Sequence, residues 1–170
     1  MKKQIWMGLA IALFVLLGAG CKPSQSETTS QGDELGLQVR VLNYMDEGLG
    51  VVYVNGVWTG STSSHAGGFS VAGSIGLPAK WHPGLTVEVQ WRDNTLYQKD
   101  HDALYKAQVP VERYDAAVDY PAVLWLAFLA DGKIRAIASS YGPKNPKFPA
   151  DLKYPEDVCK ADPACAAKFY

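Results

Sequence analysis

The chain has 170 residues, with 16 Lys and Arg against 17 Asp and Glu for a formal net charge of −1. This balance lacks the basic excess that binding to phosphate backbones requires, so nucleic acid is not an expected partner. Residues 1–20 hold two of the basic residues and none of the acidic ones, so the remaining 150 or so carry 14 basic and 17 acidic, a formal charge of −3 and the size of one domain with a real core.

Lys2 and Lys3 precede an apolar run from Ile5 to Leu17, and the small residues Gly18, Ala19 and Gly20 lead to Cys21. A charged start, an apolar stretch of about 7 to 15 residues and a small-residue cut site make a bacterial export signal. The run is shorter than the roughly 20 apolar residues of a spanning helix. Leu17-Gly18-Ala19-Gly20-Cys21 resembles the lipobox of bacterial lipoproteins, in which the thiol is diacylated and the signal is cut just before it. The resemblance implies lipidation of Cys21, and it departs from the usual pattern at Gly18, where Leu is commonest. Lys22, rather than Asp, follows the cysteine, so the implied location is the outer membrane of a Gram-negative envelope, facing the periplasm. More than one acyl chain makes such anchoring stable.

Lys22 to Glu34 has no large apolar residue and reads as a disordered tether with a typical reach of about 20 Å. The expected organisation is a signal over 1–20, a lipidated cysteine and tether over 21–35, and a single β-rich domain over 36–170.

From Leu37 the pattern has period two, with Leu37, Val39 and Val41 set against Gln38, Arg40 and Leu42. Val51 to Val54 and Val57-Trp58 flank Asn55-Gly56, a pair that tolerates positive φ and marks a tight hairpin. Leu85, Val87, Val89 and Trp91 alternate without a break against Thr86, Glu88, Gln90 and Arg92, the clearest strand in the chain. Tyr105, Ala107 and Val109 form another, and Pro110 suggests an edge. Val123 to Leu129 is almost wholly apolar, as a strand buried on both faces would be, and Asp131-Gly132 turns it into Lys133 to Ile137. Ser139 to Tyr154, with Pro143, Pro146 and Pro149, reads as irregular chain crossing the surface. The expected helices are short ones after Pro155 and from Ala164 to Phe169. These elements predict an all-β fold: a compact antiparallel β-sandwich or partly open barrel with short C-terminal helical turns.

With Cys21 taken by lipid, Cys159 and Cys165 remain as a pair, and Asp162-Pro163 between them favours a turn that brings the sulfurs together. The expectation is a local disulfide, contributing roughly 2 kcal/mol in the chain-entropy model. A metal or redox site is the weaker alternative, since five residues separate the cysteines and no histidine is near them in sequence.

Pro78 and Pro83-Gly84 bracket Trp81, which reads as a core or corner plug or, alternatively, as a partly exposed anchor for a partner alongside His82. Trp58 and Trp91 read as core. The Gly60 to Gly76 loop is long for a hairpin connection; Phe69 within it either folds back or offers contact area, and His65 reads as a surface residue with a partner-contact role as the alternative. Asp100-His101-Asp102 is the one acid/base cluster and reads as a turn. Gly-x-Ser-x-Gly, His-Glu-x-x-His and phosphate-binding glycine loops are absent, so neither catalysis, metal nor cofactor is expected.

Val54-Asn55-Gly56-Val57-Trp58, the Gly60 to Gly68 loop, Leu77-Pro78-Ala79-Lys80-Trp81-His82-Pro83-Gly84-Leu85 and the strand ending at Trp91 together resemble an uncharacterised family of bacterial lipoproteins. These are found beside genes for type VI secretion phospholipase effectors, and some members look like immunity proteins. The resemblance runs from about Val41 to Trp91 and is weaker around Asp131-Gly132. Val71-Ala72-Gly73-Ser74 stands where relatives often carry a cysteine pair. It implies a non-enzymatic, lipid-anchored periplasmic protein that neutralises a phospholipase toxin by binding it. The alternatives are a glycan or small-ligand module using Trp81, Tyr53 or Tyr141 as stacking platforms, and a structural envelope lipoprotein. A concave aromatic groove favours the ligand module, a flat mixed patch around the Gly60 to Gly76 loop favours a protein partner, and neither favours the structural role.

Overall fold

The computed structural model describes residues 34–67, 73–115 and 122–170. The expected signal, the lipidation site Cys21, nearly all of the tether and Phe69 lie outside the described residues. In chain order the elements are β1 (Glu34–Asn43), β2 (Leu49–Val54), β3 (Val57–Thr62), β4 (Ala66–Gly67), β5 (Ser74–Pro78), β6 (Thr86–Asp93), α1 (Asn94–Lys99), β7 (Tyr105–Pro110), β8 (Val123–Phe128), β9 (Ile134–Ser139), α2 (Pro155–Ala161) and α3 (Pro163–Phe169). β1 begins at Glu34, two residues before the expected domain start. No helix among the described residues is long and apolar enough to cross a membrane.

Two sheets pack face to face. The first runs β4-β1-β8-β9, with β5 also on the free edge of β1, and the second runs β3-β2-β6-β7. Alternation decides which side chains meet between them: Leu37, Val39 and Val41 from β1, Val52 and Val54 from β2, Val87 and Val89 from β6, and Leu124, Leu126 and Phe128 from β8 are all buried there. Trp91 packs edge-on against Phe128, its ring centroid 5.5 Å away. Asn55 at φ 48° and Gly56 at φ 77° form the hairpin turn that pairs Val54 with Val57.

One pairing departs from the antiparallel plan. β1 and β8 run parallel, with Gln38 opposite Val123 and Asn43 opposite Phe128. Parallel neighbours need a long crossover, and here the intervening chain builds the whole second sheet before returning. The sheets also join along one side, where Val111 just past β7 forms a parallel bridge with Ala136 of β9. The result is a sandwich closed on that side and no closed barrel.

β8 is buried at every position. Its outer face, Val123, Trp125 and Ala127, is covered by Phe148 and Leu152, with Tyr141 and Tyr154 packed alongside. The Ser139 to Tyr154 stretch is therefore irregular, as expected, yet it is also a structural third layer rather than a mere surface crossing. The two C-terminal helices follow at the expected places, joined by the Cys159–Cys165 disulfide.

Two expectations need correction. Trp58 is not core: it is 50% exposed. The two-residue hairpin pairs it with Tyr53, whose neighbours Val52 and Val54 point inward, so both aromatics face out. α1 was not expected; six residues are too few to show helical periodicity, and the helix rests on Asp93, whose carboxylate accepts from Leu96 N at 2.7 Å.

Asn43, fully buried, ties the loop after β1 to the turn before β4. Its amide donates to Glu47 O (2.8 Å) and Ser63 O (3.0 Å) and its carbonyl accepts from Met45 N (3.0 Å). Asn43→Ala strands three backbone groups and is expected to destabilise the protein by about 3 kcal/mol, read in chemical denaturation as a lower midpoint with an unchanged m-value.

Candidate functional site

Two surfaces gather the chemistry-bearing side chains. The first is the outward face of the second sheet. Tyr53 on β2 lies opposite both Trp58 on β3 and Gln90 on β6, and Gln90 lies opposite Lys106 on β7, so the four form one row across the sheet. Arg92, one outward position beyond Gln90, faces the same way, and its guanidinium lies 5.0 Å from the ring centroid of Tyr97 on α1. Trp58 and Tyr97 are 50% and 44% exposed, Lys106 is exposed, and Tyr53 and Gln90 are half-buried. It is a mixed patch of Trp, Tyr and Arg, the residue types that dominate protein interfaces.

The second surface is the end of the sandwich where β1 stops. The turn between β3 and β4 places His65 at φ 46°, a left-handed conformation uncommon for a non-glycine residue. The turn is held by His65 N donating to Met45 O (3.3 Å) and by Tyr170 Oη donating to His65 O (3.1 Å). The ring makes a 2.7 Å contact through Nε2 with Asp46 Oδ1, and Phe169 tilts against it at 4.5 Å. Lys168 Nζ donates to the other oxygen of Asp46 at 2.7 Å. Three residues of the C-terminal tail are thus fastened to two loops of the sandwich. The Lys168 hydrogen bond first, and then His65, hold the Asp46 carboxyl below its ordinary range.

Two cavities flank this cluster and share Asp46 as a lining residue. One, of about 670 Å³, is lined by the hydroxyl residues Thr59, Ser61, Thr62, Ser63 and Ser64. The other, of about 570 Å³, lies under the C-terminal helices between Leu129, Leu152, Val158 and Phe169, with His65 and both disulfide cysteines in its wall. Beside it Tyr44 donates to Lys153 O, and burial pushes its phenol well above the ordinary range. Arg135 grips Glu112 through two nitrogens and Asp151 through a third, an ion triad that fixes β9 to the third layer.

The anticipated contact residues do not form one patch. β1 pairs Glu34 with Pro78 at one end and Asn43 with Ala66 at the other, and nine residues of strand span roughly 30 Å. His65 therefore stands at one end of the sandwich, and the Trp81-His82 corner belongs to the other. Trp81 is half-buried against the core with its indole N–H donating to Val111 O at 2.8 Å, so it is a corner plug. His82 is exposed beside it. Asp100 accepts from Asp102 N and Ala103 N, making the Asp-His-Asp cluster a turn, with His101 against Tyr97 at 4.5 Å. Tyr53, Trp81 and Tyr141 stand on three separate surfaces and line no common groove.

Sequence reading missed the outward row and the Asp46 cluster. The row left a signal: a two-residue Asn-Gly turn fixes the pairing of Tyr53 with Trp58, and alternation then sends both outward. Asp46, His65 and Lys168 left none, being joined only by the fold.

The fold is an all-β domain of two packed sheets whose C-terminal tail is latched to one end. The family described as "Protein of unknown function (DUF3304)" matches residues 42–136, more than half of the chain, and the protein belongs to it. No curated protein and no solved structure matches the chain. The family match takes in Trp58, Tyr53, Arg92 and His65, whereas Cys159, Cys165 and Lys168 lie beyond it.

Because Asp46 is held ionised by its partners, its contribution to docking of the tail is complete above the ordinary carboxyl value of 3.8 and disappears as pH falls through the lower, folded value. Asp46→Asn is expected to lower the melting temperature near neutral pH. The gap to wild type should close as the pH is taken from about 5 to about 2, measured by thermal unfolding in a pH series.

Proposed function

We propose that the protein is a lipid-anchored envelope protein of a Gram-negative bacterium that works by binding another protein, neutralising a type VI secretion phospholipase effector in the periplasm. The observation that carries a protein partner is the outward row of the second sheet. Trp58, Tyr53 and Arg92 share one sheet face, and such residues bring large contact area at low ordering cost. The partner class comes from the resemblance carried by Val54 to Trp58 and Leu77 to Leu85. Anchoring through Cys21 would hold the domain beside the membrane that such a toxin attacks and raise its local concentration there. The domain would act by covering the toxin's active-site entrance and perform no chemistry of its own. A glycan module would need stacking aromatics on one concave surface, and Tyr53, Trp81 and Tyr141 do not share one.

The test is co-expression with the product of the neighbouring gene, directed to the periplasm. Wild type is expected to restore growth, and Cys21→Ser is expected to leave membranes for the soluble fraction. Trp58→Ala should weaken toxin binding about 30-fold or more, equivalent to about 2 kcal/mol. Its exposed position should keep the change in folding stability within about 1 kcal/mol. A toxin that stays fully active beside abundant exported protein overturns the reading.

A further inference from the structure

His65, Cys159 and Cys165 come from three separate elements, the β3–β4 turn, α2 and α3, and a ligand atom of each lies within 4.8 Å of the others. The sequence puts no histidine near the two cysteines, and the fold does. We propose that this cluster is a redox-gated site for a borderline-soft divalent cation of the zinc class. It is closed while the cysteines are bonded and open when they are reduced.

Two sulfurs and one imidazole nitrogen are the donor set that selects such ions over calcium or magnesium. Two thiolates on one tetrahedral zinc sit about 3.8 Å apart, from Zn–S bonds near 2.3 Å. Cysteines with Cα atoms 5.1 Å apart reach that spacing by side-chain rotation alone. Asp46 completes the arrangement. Its carboxylate holds His65 Nε2 at 2.7 Å, the carboxylate–histidine pairing that fixes a ligating ring, so the proposed site takes the ion through Nδ1. The ring is already immobilised, with its side chain only 11% exposed and Phe169 against it. All three ligands line the 570 Å³ cavity, so the fourth position faces space that a water or a small ligand can enter.

Opening the site takes two electrons and two protons. A dithiol reductant supplies both and leaves as its own disulfide, while Cys159 and Cys165 become thiols. Binding the dication then releases two thiol protons, so two thiolates and a neutral imidazole hold the ion. The C-terminal helices stay joined in either state, first by the sulfur–sulfur bond and then by the ion.

The experiment uses the full chain carrying Cys21→Ser, so that Cys159 and Cys165 are the only thiols, reduced with a phosphine and titrated with Co²⁺ as a zinc reporter. Reduced protein is expected to take up one equivalent with thiolate-to-cobalt charge-transfer absorption that excess Zn²⁺ abolishes, and the oxidised protein is expected to show none. Asp46→Asn should weaken binding about 10- to 100-fold, as loss of such an orienting partner does, and His65→Ala at least as much. Near-UV circular dichroism of each variant confirms its fold. Reduced Cys21→Ser protein without that absorption overturns the proposal, a result that needs no change at the site itself. So does absorption that survives Cys159→Ser with Cys165→Ser, or a folded His65→Ala that binds as tightly as wild type.

Discussion

The structure depends on β8 being covered on both faces. Six consecutive buried residues, Val123 to Phe128, cannot sit at the surface of a two-layer sandwich, because alternate side chains would meet water. Leu124, Leu126 and Phe128 are satisfied by the second sheet, and Val123, Trp125 and Ala127 demand a cover of their own. Phe148 and Leu152 supply it. The proline-rich chain after β9 is therefore held in place by apolar burial, although its backbone forms no regular ladder.

That cover decides where function can reside. The outer face of the first sheet is occupied by the third layer, and the ion triad of Arg135 with Glu112 and Asp151 fastens the layer down. The tail beyond it closes over one end of the sandwich, fixed by Lys168 and Tyr170. On the outward face of the second sheet Trp58 is exposed, with the half-buried Tyr53 and Arg92 on the same face. Exposed aromatics on a flat sheet are costly in water unless a partner covers them. That face is the one proposed for the partner, while the His65, Cys159 and Cys165 cluster sits apart from it, at the latched end.

Much of the fold was legible in the residues because local rules dictate it. Asn55-Gly56 and Asp131-Gly132 announced their hairpins, the alternation of Leu85 to Trp91 announced β6, and the unbroken apolar run of Val123 to Leu129 announced a strand with two buried faces. The parallel pairing of β1 with β8 was not legible, since register between strands about eighty residues apart is set by sheet assembly. Trp58 was misassigned because apolar character was read as burial, when the hairpin register alone already sent it outward. His65 illustrates the opposite limit: within a Ser- and Gly-rich loop it carries no local signal, and only the docking of α2 and α3 brings Asp46, Lys168 and a disulfide to it.

The third layer seals one sheet and leaves the other as the face proposed for a partner. Hydroxyl-radical footprinting of the protein alone and with the phospholipase, read by mass spectrometry at individual tryptophans, tests it most directly. The account predicts rapid labelling of Trp58 in the free protein, its protection in the complex, and protection of Trp125 in both. Labelling of Trp125 as fast as Trp58, or a Trp58 that stays fully reactive in the complex, would contradict it.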